Sequence, residues 1–327
     1  MASGSMTPRQ RLFTTLRRGV PDRMPRMEVW IDACLDELGQ ADPWEAYANL
    51  GQDAILLPTC TPPGSNAWKD GVDEWGRIWR GGMYAGGAVK TRADLRRYSP
   101  PLEYARELFD EEAIARVRRR FPDHAILFGT HIGPLTAAYM AMGFERFFFN
   151  LVDQPGLVHE LLELRTEWCL AVYRRAVELG AELLVLGDDA AHKDGPLISP
   201  RMARRFVLPY HQCITAAFNQ PMLWHSDGDV RPLLPLAVEA GFIGMHGLEP
   251  AAGIDLAHIL QEWGRDLVLA GNVDVRLLCG ADLAAVRRDV RRCQEVGAAG
   301  GCLLSTCNSI FSGMNPAAVK EYFRPEE

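Results

Sequence analysis

The stretch Leu223-Trp224-His225-Ser226-Asp227-Gly228-Asp229 carries the strongest indication of how this chain folds. The short apolar run after Pro221 predicts a buried strand that stops at His225-Ser226-Asp227. A glycine follows, and an amphipathic stretch begins after it. The pattern predicts a strand that delivers an imidazole and a carboxylate to its C-terminal end, which is the edge where chemistry occurs in a parallel α/β barrel.

Short apolar runs recur along the whole chain and alternate with helical patterns, such as the one at residues 283–296. Strand and helix in repeated cycles predict an α/β protein with a single (β/α)8 TIM barrel. A doubly wound open sheet is the alternative, but no G-x-G-x-x-G sequence follows any of the runs. The eight predicted strands lie at residues 27–30, 54–57, 125–128, 183–186, 222–224, 242–245, 267–270 and 302–304.

Composition limits the possible functions. The chain has 327 residues, of which 48% are hydrophobic and 24% charged, so a large core can form and disorder is not indicated. Its net charge of −7 does not favour nucleic-acid binding. Because it has neither a run of about eighteen apolar residues nor a signal peptide, we expect a cytoplasmic protein without a membrane segment. The eight cysteines include no C-x-x-C pair, which favours reduced thiols.

No linker-like stretch divides the chain, which favours one barrel domain at residues 6–327. Residues 1–5 (MASGS) resemble a remnant of vector sequence and are excluded from it. Residues 59–101 are rich in Gly, Pro and Trp and predict a long excursion over the barrel mouth, with a hairpin through residues 75–79.

The tryptophans of this excursion, Trp68, Trp75 and Trp79, allow two interpretations. They could pack against the side of the barrel, as in a self-packed surface loop. They could also form an aromatic lid over the barrel mouth, since an aromatic methyl ether or a cobalamin ring needs broad apolar contact. A lid requires at least one of the three to face the pocket of His225.

Polar residues directly follow most of the predicted strands. Singly, each has an ordinary explanation, since an aspartate often caps the next helix and a histidine is often a hydrogen-bonded structural residue. Their convergence on one rim is not explained in this way, because independent caps have no reason to include several histidines and a thiol. These residues are Thr59, Cys60, His131, Asp188, Asp189, His225, Asp227, His246, Glu249, Asn272, Asp274, Cys307 and Asn308.

Three of these residues, His225, Asp227 and Cys307, together offer one nitrogen, one oxygen and one sulfur ligand. All are zinc ligands, and three protein ligands with an open fourth position are typical of catalytic zinc. Because a carboxylate is harder than a thiolate, such a site would favour an oxygen substrate over a thiol. The alternative is metal-free, with Asp227 and Asp189 as general acid and base and with His225 orienting the substrate.

Several short segments form a set that is found in one enzyme superfamily. They are Thr7-Pro8-Arg9-Gln10-Arg11 with Pro21-Asp22-Arg23 and Pro25, Asp73-Glu74-Trp75-Gly76, Gly187-Asp188-Asp189, Ile198-Ser199-Pro200, Pro209-Tyr210, His225-Ser226-Asp227-Gly228-Asp229-Val230 and Gly271-Asn272-Val273-Asp274. With this set the chain resembles the uroporphyrinogen decarboxylase superfamily over nearly all of residues 6–323. It is nearer the cobalamin-dependent methyltransferase branch than the decarboxylases, and the resemblance implies the same barrel.

Two positions depart from the patterns of the superfamily. The decarboxylases carry an Arg-Gln-Ala-Gly-Arg segment near the first strand that binds porphyrinogen carboxylates, whereas this chain has Glu28 in that stretch, so haem synthesis is not expected. The methylcobalamin:coenzyme M methyltransferases bind zinc through a His-x-Cys pair and a distant Cys. The resemblance matches His225 and Cys307 to two of these ligands and puts Asp227 in the place of the third, which favours an ether or alcohol oxygen over a thiol.

The preferred hypothesis is a corrinoid-linked methyltransferase. Zinc on His225, Asp227 and Cys307 would polarise the oxygen of a small methoxylated donor, and the methyl group would pass to cobalamin on a corrinoid protein docked over the barrel mouth. A metal-independent lyase or decarboxylase of a small acid and a non-catalytic corrinoid-binding subunit remain as alternatives. We expect catalytic roles for Asp189, Glu249 and Asp227, and substrate contacts from His131, Asp188, His246, Asn272 and Trp75.

Overall fold

The computed structural model describes residues 5–31, 35–61, 65, 68–100 and 102–324. Residues 1–4, most of the segment that resembles a vector remnant, lie outside the described residues. In the described ranges the strands are β1 (Ala54–Leu56), β2 (Gly71–Val72), β3 (Arg77–Arg80), β4 (Met83–Gly87), β5 (Ala125–Thr130), β6 (Leu183–Gly187), β7 (Ala191–His192), β8 (Gly195–Pro196), β9 (Met222–Ser226), β10 (Gly244–Gly247), β11 (Val268–Ala270) and β12 (Cys302–Leu303).

Helices follow most of the strands, and side-chain caps begin several of them. At the first helix, for example, Thr7 accepts a hydrogen bond from the backbone N–H of Gln10, whose side chain binds the backbone of Thr7 in return. The helices are α1 (Pro8–Leu16), α2 (Glu45–Asn49), α3 (Arg92–Arg97), α4 (Tyr104–Glu107), α5 (Glu111–Arg120), α6 (Pro134–Met142), α7 (Phe144–Asp153), α8 (Pro155–Glu178), α9 (Pro200–Phe206), α10 (Leu208–Thr215), α11 (Leu234–Glu239), α12 (Leu256–Trp263), α13 (Val275–Leu278), α14 (Leu283–Gly297) and α15 (Pro316–Phe323).

Seven parallel strands form the central sheet, in the order β1-β5-β6-β9-β10-β11-β12. Strands that neighbour each other in the sheet therefore follow each other along the chain, and helices lie between them. Most residues of these strands are buried, because an all-parallel sheet is covered on both faces. This burial explains why the strands were visible in the sequence as continuous apolar runs. The predicted α/β class and the strands near these seven runs are confirmed.

The predicted first strand, at residues 27–30, is not formed as a regular strand. The segment forms isolated parallel bridges, between Arg26 and Leu304 and between Ile31 and Ile310. Its backbone also reaches the other edge of the sheet, since the carbonyl of Arg26 accepts a hydrogen bond from the N–H of Asp53 at 2.8 Å. The sheet is thus curled, but the complete eight-stranded barrel is not confirmed.

Side chains accept hydrogen bonds from two backbone N–H groups of this segment. The backbone N–H of Glu28 donates to Oε1 of Gln52 at 2.8 Å, and the N–H of Ile31 donates to the hydroxyl of Tyr47 at 3.1 Å. Buried backbone donors must be satisfied, and a side-chain acceptor satisfies them as well as a strand does. A regular ladder is therefore not required here, which is why the apolar pattern alone overestimated the strand.

The excursion contains a three-stranded antiparallel sheet of β2, β3 and β4, in agreement with the predicted hairpin. Asp73 anchors it, since one carboxylate oxygen accepts from Nε of Arg77 at 2.7 Å and from Nε1 of Trp79 at 2.8 Å. The last strand lies against the end of α6, where a Cβ on Gly87 would come within 2.2 Å of the backbone nitrogen of Gly143. Only glycine permits this approach of the two backbones.

The longest helix, α8, has 24 residues, and its buried face packs into the core beside the excursion. Among the described residues, none of the helices is both long and apolar enough to cross a membrane.

Candidate active site

Three adjacent strands carry the candidate site at their C-terminal ends. Asp189 lies two residues after β6, His225 lies within β9 with Asp227 directly after it, and His246 lies within β10. The registers pair Gly187 with His225 and His225 with His246, so the ends of the three strands lie side by side. Parallel pairing therefore brings together residues that are far apart in sequence.

Asp189, His225 and Asp227 form a group that could hold a metal ion. Each offers one ligand atom, and these atoms all lie within 4.8 Å of one another. Nε2 of His225 is 3.5 Å from Oδ1 of Asp227, and the backbone N–H of Asp227 donates to Oδ1 of Asp189 at 3.1 Å. One imidazole nitrogen and two carboxylates are a donor set that suits a divalent cation, zinc included.

A chain of hydrogen bonds orients the imidazole of His225. Its Nδ1 lies 2.7 Å from Nδ1 of His246, and Nε2 of His246 lies 3.0 Å from the hydroxyl of Ser305. If His246 donates from Nε2, its Nδ1 must accept, and Nδ1 of His225 is then the donor. This assignment leaves the lone pair of His225 on Nε2, which faces the two carboxylates. Both ring nitrogens of His246, expected to contact substrate, are engaged within the protein.

Burial shifts the protonation of the carboxyl groups here. Loss of solvation, together with the nearby charge of Asp189, raises the pKa of Asp227 to about 7. The pKa of Glu249 is also raised, first by burial and then by Asp227. In contrast, burial lowers the pKa of His225 despite the opposing effect of Asp189 and Glu249. A neutral imidazole beside closely spaced carboxyl groups is the state in which a cation would be bound.

Two polar side chains position the carboxylates of this group. Nδ2 of Asn308 donates to Oδ1 of Asp227 at 2.8 Å, and the hydroxyl of Thr136 accepts from the backbone N–H of Asp189 at 2.8 Å. Asn308 was recognised in the sequence as a strand-end residue, but no role was assigned to it. Thr136 was not recognised, because it lies in the first turn of α6 and not at a strand end.

Cys307 is not part of this group in the structure. Its side chain is buried, its thiol accepts a backbone hydrogen bond from Val275, and burial raises its pKa well above the ordinary value. The chain turns after β12, where Thr306 forms a bridge with Val273. This turn directs Cys307 towards the start of α13, and its role as a metal ligand stays a prediction.

Two residues expected to bind substrate, Asp188 and Asn272, make structural contacts. The carboxylate of Asp188 accepts from the backbone N–H groups of Leu135 and Thr136, at 3.2 and 2.7 Å, and lies 2.8 Å from Nε2 of His211. The fully buried amide of Asn272 donates to the carbonyl of Leu248 at 2.9 Å. Both side chains therefore position the loops around the site, and substrate contact by them stays a prediction.

A cavity of about 270 Å³ adjoins the site between β5, α8 and the excursion. His131 lines it and stacks on Trp30 with ring centroids 4.2 Å apart, and the ring of Trp30 meets His225 edge-on at 5.1 Å. His131 is exposed to the cavity, and partial loss of solvation is the main cause that lowers its pKa to about 4. One aromatic ring thus separates the cavity from the metal-binding group.

Trp75 and Trp68 line this cavity, whereas Trp79 is buried and donates its indole N–H to Asp73. The excursion therefore contributes an aromatic wall to this cavity and also packs on itself through Trp79, and a lid over the pocket of His225 stays a prediction. Arg165 also lines the cavity, and it was not among the residues predicted from the sequence. It lies on the buried face of α8, four residues after Leu161 and four before Cys169, so a charged residue within an apolar stripe was the available signal.

Residues 82–324 match the model of the family described as uroporphyrinogen decarboxylase (URO-D). The chain belongs to the URO-D family. Its relatives include the methylcobamide:CoM methyltransferase MtaA of Methanosarcina barkeri, which is 28% identical over 284 residues, or 82% of each chain. They also include a methylated-thiol–coenzyme M methyltransferase of Methanosarcina mazei, 23% identical over 79% of this chain. That alignment spans only 59% of the relative's length.

A solved structure described as a methyltransferase from Methanosarcina mazei resembles this URO-D family member closely in fold. The TM-score is 0.74 at 22% sequence identity, and the likeness covers 97% of both chains. The likeness establishes the fold alone. These relatives are methyltransferases, so the predicted family and its methyltransferase branch are confirmed, and the expectation of an enzyme agrees with them.

Proposed function

We propose that this URO-D family member is a corrinoid-linked methyltransferase that demethylates a small methoxylated or methylated oxygen compound. The observation that carries the proposal is the group of Asp189, His225 and Asp227, whose ligand atoms lie within 4.8 Å of one another at the strand ends. The alignment of MtaA, a protein named for methylcobamide, with 82% of this chain supports the corrinoid part.

In this proposal Asp189, His225 and Asp227 would hold zinc, and Cys307 remains a further predicted ligand. The residues fit a cation because Nε2 of His225 carries the free lone pair and faces two carboxyl groups. Bound zinc would supply a Lewis acid for the substrate oxygen. Nitrogen and oxygen donors are harder than thiolates, so such a site favours an ether or alcohol over a thiol.

Glu249 would supply the proton that the departing oxygen requires. Its carboxyl group is half-buried, lies within electrostatic reach of Asp227 and His225, and has a raised pKa, so it stays protonated at a higher pH than an exposed glutamate. His131 and Trp30 would shield the opposite side from bulk water. A corrinoid on a partner protein would accept the methyl group.

A second candidate is metal-free acid–base chemistry on a small acid. The observation that favours it is the pair of neighbouring carboxyl groups of Asp227 and Asp189, of which Asp227 has a pKa raised to about 7. A carboxyl group whose pKa lies near neutrality is suited to act as a general acid. In this candidate Asp227 would donate a proton and Asp189 would accept one.

Metal analysis separates the two candidates. The protein, purified without chelator, would be analysed by mass spectrometry for zinc and other divalent metals, and then assayed for methylation of cob(I)alamin from methanol and a panel of methyl ethers by its change in visible absorbance. The proposal predicts about one metal ion per chain and methyl transfer that is lost with a chelator and restored by zinc.

The matched variants are Asp227→Asn, Asp189→Asn and the control Asp229→Asn, which alters a carboxylate paired with Arg231 at 2.7 Å. Metal content should fall in the first two and persist in the control. Cys307→Ser tests whether the thiol contributes to binding. A metal-free protein that turns over a small acid, and loses this activity in Asp227→Asn, would refute the metal-dependent proposal in favour of the second candidate.

A further inference from the structure

Arg165 is a buried cation on the wall of the cavity. Arg165 is only 2% exposed to solvent, and its Nη2 donates to the carbonyls of Trp75 and Tyr98, both at 2.9 Å. Its Nε has no hydrogen-bond partner among the described residues. Asp73, the acid that acts on it electrostatically, is already bound to Arg77 at 2.7 Å. Arg165 thus lacks a carboxylate of its own within the described part of the chain.

The charge of Arg165 persists at neutral pH. Burial is the main cause that lowers its pKa, but only to about 10. Burying a cation without a counter-ion is unfavourable, and the ring of Trp75, whose centroid lies 5.2 Å from the guanidinium carbon, compensates for only part of this. An anion that enters the cavity would complete the pairing, because the unpartnered Nε–H of Arg165 can donate a charge-assisted hydrogen bond to a carboxylate.

Most of the remaining wall of the cavity is apolar or aromatic, and the second cation on it, Arg77, is already paired with Asp73. Leu108, Phe128 and Val172 line it, and Trp75 meets Trp168 in a perpendicular arrangement with ring centroids 4.7 Å apart. Its volume of about 270 Å³ is at the small end of ligand pockets, which commonly span ~300–1,000 Å³. These walls suit one flat apolar ring better than a highly polar molecule or a long chain.

We propose that this cavity binds a small aromatic carboxylate, with its ring against Trp75 and Trp168 and its carboxylate on Arg165. This inference deepens the proposed function and rests on it for one point, that the bound acid is a methyl donor. The donor would then be a methoxylated aromatic acid. The end of the cavity at His131 lies beside Trp30 and His225, which places that end nearest to the metal-binding group.

A purely structural role for Arg165 makes a different prediction. Its bonds to the carbonyls of Trp75 and Tyr98 hold the excursion against α8, and they would be sufficient in themselves if the cavity bound no anion. In that case the protein would not distinguish charged from neutral aromatic ligands. Binding measurements on metal-free protein without a corrinoid address this directly, and they do not depend on methyl transfer.

The experiment titrates the full chain with benzoate, 4-methoxybenzoate, methoxybenzene and ethanesulfonate, followed by tryptophan fluorescence and calorimetry. Trp68, Trp75 and Trp168 line the cavity, so occupancy should change their emission. We expect the two benzoates to bind at least about 10-fold more tightly than neutral methoxybenzene, as a charge-assisted hydrogen bond predicts. Equal binding of methoxybenzene would overturn the role of charge, and tighter binding of ethanesulfonate would overturn the role of the ring.

Two variants test the site itself. Arg165→Met should lower the affinity for benzoate by about 10- to 100-fold and leave the affinity for methoxybenzene nearly unchanged. Ala137→Leu fills the cavity without altering Arg165. It should lower the affinity for both benzoate and methoxybenzene while the melting temperature stays unchanged. Should Arg165→Met fail to fold, Ala137→Leu decides alone, and undiminished benzoate binding in that variant refutes the site. Benzoate binding that persists when methyl transfer fails would leave this site standing and the proposed function refuted.

Discussion

Replacing Glu28 with glutamine should remove a pH dependence from the stability of the protein. Glu28 is fully buried, and burial raises its pKa from 4.5 to about 7. Its Oε1 accepts from the backbone N–H of Thr306 at 2.7 Å and from the hydroxyl of Tyr322, and its Oε2 lies 2.9 Å from the hydroxyl of Thr306. When Glu28 is protonated, Oε2 can donate to that hydroxyl. The amide of Glu28→Gln can make the same bonds.

The shifted pKa of Glu28 determines the direction and the size of this pH dependence. The folded state holds the proton of Glu28 more tightly than the unfolded state, so this stabilisation is complete below pH 4.5 and decreases as the pH rises to about 7. A shift of this extent corresponds to roughly 3 kcal/mol, the upper bound of the effect. Glu28→Gln stays neutral at every pH. The free energy of unfolding of the variant, relative to that of the wild type, should therefore rise by up to that amount between pH 5 and pH 8.

Urea denaturation at pH 5, 6, 7 and 8, followed by circular dichroism, measures the free energy of unfolding of both proteins. The difference between them isolates Glu28, because other titrating groups affect both equally. Glu262→Gln, whose side chain is 55% exposed, serves as the control and should follow the wild type. If the free energy of unfolding changed with pH by the same amount in the wild type and in Glu28→Gln, the buried carboxyl group could not be the source of the pH dependence.

Three further outcomes concern the site and the excursion. Asp227→Cys should keep or raise zinc occupancy while turnover of a methyl ether falls, because a thiolate makes the site softer; unchanged turnover would show that Asp227 is not a ligand. His246→Phe removes the hydrogen-bond partner of His225 Nδ1 and should lower the zinc affinity, measured by chelator competition, by about 10- to 100-fold. An unaltered affinity would contradict the orienting role of His246. Trp75→Ala should lower the free energy of unfolding by about 2 kcal/mol, less than the ~3–5 kcal/mol of a fully buried tryptophan, and weaken benzoate; a folded variant with full benzoate affinity would exclude Trp75 from the cavity wall.

Seven strands could be predicted because each forms a short apolar run between helical patterns. The segment around Glu28 is not a regular strand, because two of its backbone N–H groups, those of Glu28 and Ile31, donate to side chains. Such partners leave no periodic trace in the sequence. The apolar pattern shows that this segment is buried but not which groups satisfy its backbone.

The site was predictable where it depended on strand ends. Asp189, His225 and Asp227 lie together because parallel strands place their C-terminal ends on one edge. Cys307 was placed at a strand end by the same rule, but β12 ends at Leu303 and the thiol accepts a hydrogen bond from the backbone of Val275, so its role as a ligand stays a prediction. Arg165 was overlooked, because a charged residue in a long helix is ordinarily placed on its solvent face and only the burial reveals otherwise.

The order of the central sheet has a consequence for how this family diversifies. Because neighbouring strands are also successive in the chain, each loop at their ends can be exchanged without rerouting the strands beside it. Asp227 is the first residue after β9, so a single codon there changes the donor atom offered to a cation while the strand beneath keeps its place. Evolution can therefore alter the chemical preference of such a protein one loop residue at a time, and lineages that share this fold can diverge in substrate long before their folds diverge.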